Sequence, residues 1–278
     1  RRQRQMCIRD SKWSIANWIL SFFPEHRSYV EPFLGSGAVF FKKERSPIET
    51  INDRDDEVVC FFEQVKSDPE KLAHEIYFTP YARTVYQRAY EKPKNRLETA
   101  VNFCTRLNMG HGFRTTGERV GWKSDIRGRE AAYAAMDWVT LPERILQAAE
   151  RLRGVQIENR PALEIIEKFN AENVLLYLDP PYLLSTRYGK MYKCEMTKKD
   201  HEEMLEAVMC HKGAVLISGY DSLLYREKLN NWHREETKGR TQNNAKRTLE
   251  VLWMNFEPPT RQMSIKDLIE EGWHDENS

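Results

Sequence analysis

No Cys-x-x-Cys pair occurs in this chain. Its five cysteines, Cys7, Cys60, Cys104, Cys194 and Cys210, are scattered through 278 residues. That scatter excludes the common zinc and dithiol motifs, so no metal site is expected, and it fits a reducing compartment. None of the five follows a proline. Long apolar runs are missing too: nothing approaches the roughly 20 residues of a membrane span. The opening Arg1-Arg2-Gln3-Arg4-Gln5 has no apolar segment behind it of the kind a secretory signal carries. The expected location is the cytoplasm. Neither internal repeats nor low-complexity segments are present. Charge of one sign is also lacking, since 43 Lys+Arg against 42 Asp+Glu leave a formal net charge of +1. A polyanionic partner would have to be met by local basic patches, because the global field gives no help. What is there is the composition of a globular protein, 40% hydrophobic and 31% charged. The length suits one large domain, or a core with a smaller unit attached.

Strand-like and helix-like segments alternate. Apolar spacing predicts helices over Lys12 to Phe23, Val58 to Lys66, Leu141 to Leu152 and Lys198 to His211. Asp68 to Leu107 reads as mostly helical, with breaks at Pro80 and Pro93. A helix over Pro161 to Phe169 would carry proline at its first position. Strands are predicted at Ser28 to Glu31, Ile48 to Asn52, Val155 to Glu158, Val174 to Leu178, Ala214 to Ser218 and Leu249 to Phe256. Asn108 to Gly128 is glycine-rich and aperiodic, hence loops or a hairpin. This alternation argues for an α/β sheet.

Ligands of open α/β sheets bind beyond the carboxyl ends of the strands, and two such ends carry unusual residues. After the first strand comes Glu31-Pro32-Phe33-Leu34-Gly35-Ser36-Gly37, where Gly35 and Gly37 would let a ligand approach the backbone closely. Asp53 ends the next strand, 18 residues after Gly35. An acid there suits ribose hydroxyls, and equally a helix N-cap. After the apolar Val174 to Leu178 comes Asp179-Pro180-Pro181-Tyr182. The prolines fix φ and offer carbonyls without N–H groups, the carboxylate accepts hydrogen bonds, and the tyrosine offers a flat face. Together they suit gripping the exocyclic amino group of a planar ring.

With the glycine loop upstream, the motif resembles that of amino-methyltransferases using S-adenosylmethionine. An aromatic amine such as adenine N6 is a poor nucleophile, because its lone pair is delocalised into the ring. A carboxylate and a peptide carbonyl accepting its N–H bonds localise that pair and stabilise the arriving positive charge. The remaining task is alignment. No covalent intermediate is needed. Methylation at cytosine carbon-5 would need a cysteine, usually after a proline, and none is placed so.

More broadly, the chain resembles the Dam-like D12 class of DNA N6-adenine methyltransferases, which includes many phage-encoded members. The matching pieces are Ser11-Lys12-Trp13, Glu31 to Phe41, Ile51-Asn52-Asp53, Gly154 to Ile166, Leu176 to Tyr182, Leu216 to Asp221 and Glu250 to Asn255. Departures lie at Asp10 and Ser11, where the class has glycines, and at Ile8, where an aromatic is common. The resemblance implies S-adenosylmethionine as cofactor, contacted by Lys12, Asp53 and Asp179. It implies the glycine loop (Glu31, Pro32, Phe33, Gly35, Gly37) as the cofactor loop and Asn159 as a polar contact, although Asn159 also suits a helix cap. Asp179, Pro180, Pro181 and Tyr182 become the catalytic set. The implied fold is an α/β, Rossmann-like methyltransferase sheet with an antiparallel strand near its edge, for which Glu250 to Phe256 is the candidate. The implied division is a catalytic domain over 1–66 and 140–260, a smaller, mainly helical target-recognition insertion over 67–139, and a tail over 261–278.

The implied partner is double-stranded DNA, with the target base flipped out. Arg114, Arg119 and Lys123 in the glycine-rich segment are candidates for phosphate contact, as are Lys246 and Arg247 before the last strand. Arg187 follows the catalytic turn, in a segment that could close over a flipped base. The residues leave open another planar amino group as target (RNA adenine, cytosine N4 or protein glutamine) and a catalytically silent DNA-binding regulator. Whether the enzyme acts alone or beside a cognate restriction endonuclease is equally open.

Overall fold

The alternation of strands and helices builds a seven-stranded mixed sheet. The computed structural model describes residues 12–111, 117–124, 134–183, 193–239 and 248–259. In chain order the elements are α1 (Lys12–Leu20), β1 (Ser28–Glu31), α2 (Ala38–Lys42), β2 (Ile48–Asn52), α3 (Asp56–Ser67), α4 (Pro69–Phe78), α5 (Arg83–Arg88), α6 (Arg96–Met109), α7 (Ala134–Val139), α8 (Leu141–Leu152), β3 (Gln156–Glu158), α9 (Ala162–Lys168), β4 (Val174–Leu178), α10 (Lys198–Met209), β5 (Ala214–Tyr220), α11 (Leu223–Lys228), β6 (His233–Gly239) and β7 (Thr248–Met254). Strand order is β3-β2-β1-β4-β5-β7-β6. Strands β1 to β5 are parallel, and β7 runs antiparallel between β5 and the edge strand β6. The antiparallel strand expected at Glu250 to Phe256 is therefore β7, one place in from the edge. From β1 the chain moves outward to β2 and β3, then crosses back to β4 on the other side. The order reverses between β1 and β4, where ligands of such sheets bind.

Side chains alternate between two cores, because successive residues of a strand point to opposite faces. Tyr29, Leu175, Tyr177, Leu216 and Leu252 join Trp13 of α1, Phe40 of α2, Phe61 and Phe62 of α3, and Leu152 of α8. Val30, Leu176, Leu178, Val215, Ile217 and Trp253 join Ile165 of α9, Leu205 of α10 and Tyr225 of α11. β4 is buried at all five positions, as a parallel strand covered on both faces should be. Helix starts follow ordinary capping. Asp55 accepts from the Glu57 N–H at α3, Asp68 precedes Pro69 at α4, Asn95 caps α6, and Thr197 with Asp200 forms a capping box at α10.

Helices α4 to α7 lie within segment 67–139. They contribute Leu72, Ile76, Tyr86, Phe103, Leu107 and Trp138 to the same core as α1 and the sheet. Several elements depart from the sequence pattern. Edge strand β6, His-Arg-Glu-Glu-Thr-Lys-Gly, has no apolar alternation to announce it. The short helices α7 and α11 fall below the length at which periodicity speaks. Pro161 is the N-cap of α9 rather than its first helical residue. Among the described residues, no helix is long and apolar enough to cross a membrane.

Candidate active site

Period-two alternation brings a set of polar side chains to one place. Glu31 follows Tyr29 on β1, Asp179 follows Tyr177 beyond β4, Ser218 follows Leu216 on β5, and Glu250 precedes Leu252 on β7. The apolar members of these pairs face the core beneath α1, so the polar ones share that face. β7 runs opposite to its neighbours and pairs Glu250 with Tyr220. Its amino end therefore lies where the parallel strands have their carboxyl ends.

Helix α1 lowers Lys12 onto this group, and Lys12 is 2% exposed. Its Nζ lies 3.0 Å from Asp179 Oδ1 and 3.0 Å from Glu250 Oε2. It also donates to the Tyr182 hydroxyl. That hydroxyl donates to Glu250, 3.1 Å from each carboxylate oxygen. Asp179 Oδ1 accepts a second bond, from Ser218 Oγ at 3.0 Å, and Ser218 is held in turn by the Tyr177 hydroxyl at 2.9 Å. The carboxylate after β4 is thus oriented from two sides. Glu31 sits nearby, accepting from the Tyr29 hydroxyl at 2.6 Å. Burial, opposed by that bond and reinforced by the charge of Asp179, pushes the Glu31 carboxyl up to about 8.

The glycine loop closes the β1 side. Gly35 and Gly37 have φ of 49° and 64°, in the left-handed region that glycine tolerates. A Cβ on Gly37 would meet the Phe41 ring at 2.8 Å, whereas one on Gly35 would meet nothing within 4 Å. The Gly35 N–H donates to Asp53 Oδ2 at 2.8 Å, and the Asp55 N–H donates to Asp53 Oδ1 at 2.8 Å. Asp53 is half-buried, and desolvation raises its carboxyl to about 6 against these bonds. The cap of α3 is Asp55, so Asp53 is not spent on that role. Asn159 is exposed and donates to the Asp53 carbonyl at 2.9 Å. It does not cap α9. Asn52 ties the loops together, donating to the carbonyls of Pro32 at 2.8 Å and Arg160 at 3.1 Å. Pro32 is buried and Phe33 packs into the second core. Lys193, just after residues 184–192, returns to this end with its ammonium 3.5 Å from Asp55.

Beside Asp179, Pro180, Tyr182, Leu183, Gly219, Tyr220 and Tyr225 line a cleft. The rings of Tyr182 and Tyr220 lie 4.2 Å apart, tilted by 49°. Pro180 is buried and Pro181 half-buried.

The structure brings Lys12, Glu31, Gly35, Gly37, Asp53, Asn159, Asp179, Pro180, Pro181 and Tyr182 to one end of the sheet. Of the basic candidates, Arg119 is exposed, with its guanidinium 5.6 Å from the centre of the Tyr90 ring. Lys123 turns inward, donating to the carbonyls of Leu107 at 3.4 Å and Asn108 at 3.1 Å where α6 ends. Trp122 pairs with Gly110 in an antiparallel bridge, so this stretch is part of a hairpin-like pairing. Arg114, Arg187, Lys246 and Arg247 lie outside the described residues. Sequence reasoning singled out neither Ser218, Glu250, Asn52 nor Tyr220. A polar residue at an inward-facing strand position was the available signal for the first two.

No curated protein sequence matches the chain. Among solved structures, precorrin 8W decarboxylase of Methanobacterium thermoautotrophicum is 10% identical, with a TM-score of 0.41 over 88% of this chain and 90% of that one. The SAM-dependent methyltransferase from Agrobacterium tumefaciens is 9% identical, with a TM-score of 0.38 over 88% of this chain and 62% of that one. The architecture rests on the strand pairing itself. The family model for D12 class N6 adenine-specific DNA methyltransferases matches residues 11–243, a stretch holding Lys12, the glycine loop, Asp53 and Asp179 to Tyr182. The chain belongs to that family, whose enzymes take the methyl group of S-adenosylmethionine.

Proposed function

We propose that this protein methylates N6 of a specific adenine in double-stranded DNA after drawing the base out of the helix. One observation carries the reading: the Asp179 carboxylate is fixed at a strand end by Lys12 and Ser218, each at 3.0 Å, beside the Tyr182–Tyr220 cleft. A duplex hides N6 inside the stack, and extrusion costs on the order of a few kcal/mol. In the extruded base, Asp179 and a main-chain carbonyl of the Pro180-Pro181 turn accept the two amino protons. Tyr182 supplies the apolar face against which the ring rests. These contacts localise the lone pair and stabilise the positive charge that grows on nitrogen.

The residues fit the cofactor. Gly35 has open space beside its backbone, and Asp53 presents a half-buried carboxylate at the β2 end. Bound S-adenosylmethionine supplies a methyl group made electrophilic by its sulfonium. Asp53 would hold ribose hydroxyls, Asn159 would add a polar contact, and Glu31, Pro32, Phe33 and Gly37 would shape the loop. Lys12 and Asp179 would border the reacting end. Segment 67–139 is assigned to target recognition. Arg119, with Arg114, Arg187, Lys246 and Arg247, is assigned to phosphates, whereas Lys123 serves first to secure the end of α6.

Product analysis tests the reading. Unmethylated duplex DNA is incubated with the protein and methyl-tritiated cofactor, digested to nucleosides and separated. Label is expected in N6-methyldeoxyadenosine. Label in N4-methyldeoxycytidine, or incorporation into RNA or protein but not DNA, would overturn it.

A further inference from the structure

We infer that Arg83 is a phosphate contact for DNA, working with Arg119 from the two ends of a seam between α5 and segment 117–124. The inference deepens the functional reading above and rests on it. Tyrosines in and around α5 build the seam. The Tyr86 hydroxyl donates to the Val120 carbonyl at 2.7 Å, and the Tyr81 hydroxyl donates to the Lys123 carbonyl at 3.0 Å. The Tyr81 ring also lies 5.8 Å from that of Trp122. The other side of the segment is tied to the end of α6. The Lys123 N–H donates to the Met109 carbonyl at 2.7 Å, and the His111 N–H donates to the Gly121 carbonyl at 2.8 Å. A backbone held from both sides fixes where its side chains stand.

A guanidinium sits at each end of this seam. That of Arg83 lies 4.8 Å from the centre of the Trp122 ring, and that of Arg119 lies 5.6 Å from the centre of the Tyr90 ring. Both arginines are exposed. An aromatic neighbour covers a guanidinium's face and leaves its N–H edge presented to an oxyanion with little freedom left to lose. Among the described residues, no hydrogen bond or ion pair engages the donors of Arg83. The comparably exposed Arg96, Arg153, Arg160 and Arg226 each pair with a carboxylate. Glu118, the acid of segment 117–124, lines a small cleft with Tyr90 and Arg106 instead. The seam also stands at the right end of the molecule. Arg106 donates to the Ala89 carbonyl at 2.7 Å and to Glu57 at 2.6 Å. Glu57 lies in the first turn of α3, just past the loop that carries Asp53. The seam is therefore anchored at the sheet end where the reading places cofactor and target base.

The salt dependence of DNA affinity separates this role from a staple that merely holds Trp122. Binding of a fluorescently labelled duplex of mixed sequence is followed by anisotropy over a range of salt concentrations, since phosphate contacts need no recognition site. Arg83→Ala is expected to lower the slope of log affinity against log salt by about one unit, and Arg83→Ala combined with Arg119→Ala by about two. Arg83→Lys, which keeps the charge, is expected to restore most of the slope. Arg27→Ala, exposed just before β1 at the opposite end of the sheet, is expected to leave it unchanged. Should Arg83→Ala not stay folded, Arg83→Gln, which keeps a planar group against the ring without the charge, carries the same expectation. A wild-type slope in the folded neutral variant would overturn the inference. So would an equal fall in Arg27→Ala, the mark of a general field, or an Arg83→Lys slope as low as that of Arg83→Ala, the mark of a staple. A lowered slope without any N6-methyl product in the wild type would overturn the functional reading alone. A wild type whose affinity for duplex DNA does not fall with salt would overturn both.

Discussion

Gly35 and Gly37 both hold positive φ, yet a methyl group at each is expected to act differently. At Gly37 the added carbon meets the Phe41 ring at 2.8 Å. Gly37→Ala should cost on the order of 1–3 kcal/mol, visible as a lowered Tm. At Gly35 nothing lies within 4 Å, and strain alone costs about 1 kcal/mol. Its new carbon would occupy space beside Asp53 assigned to the cofactor. Gly35→Ala should therefore show mainly in S-adenosylmethionine Kd, measured by calorimetry. Glu31 makes a pH prediction. Its folded carboxyl is pushed up to about 8 by burial, above its unfolded value, so the folded state holds the extra proton. That stability is fully present at acid pH below the unfolded value and is lost as pH rises through about 8. Denaturant midpoints between pH 5 and pH 9 should fall more steeply for the wild type than for Glu31→Gln; parallel curves would show that Glu31 keeps no proton. At this scale the sequence announced Asp179, Asp53 and the glycine loop, because motif and strand end coincide. Lys12 was equally compatible with a solvated charge, since only the packing of α1 buries it. Glu250 and Ser218 were inward-facing by alternation, but nothing local says which cation or hydroxyl they meet.

Elements with a strong period were legible, and those shaped by distant contacts were not. β1, β2 and β4 have the predicted boundaries because each is followed at once by turn-forming residues, Pro32, Asp53 and Asp179-Pro180. β6 is held by pairing with β7 rather than by its own composition, and so leaves no trace in hydropathy. The end of α6 gives a second such case. Arg119 and Lys123 look alike in sequence, but Lys123 is tied to α6 carbonyls while Arg119 is exposed. Arg119→Ala should leave Tm nearly unchanged and reduce the salt dependence of DNA binding by about one unit of slope. Lys123→Ala should lower stability by about 1 kcal/mol for the lost ties. Equal salt slopes in the two variants would reverse these assignments.

For the whole molecule, topology does most of the positioning. The reversal of strand order between β1 and β4 opens one end of the sheet, and antiparallel β7 delivers Glu250 to that same end. Helix α1, from the start of the described chain, covers the site with Lys12. Residues far apart in sequence thereby form one polar cluster on a buried apolar face. The formal net charge of +1 leaves DNA attraction to local patches, so affinity should fall steeply with salt even though the global field is weak. The most direct test of the central claim is the single-turnover rate of methyl transfer to duplex DNA by Asp179→Ala, with cofactor binding measured alongside. The expected result is a rate at saturating cofactor reduced by about a thousandfold or more, even where the lost Asp179 contact weakens cofactor binding. A rate within about tenfold of the wild type would contradict the account, because the carboxylate fixed by Lys12 and Ser218 would then not be what holds the reacting amine.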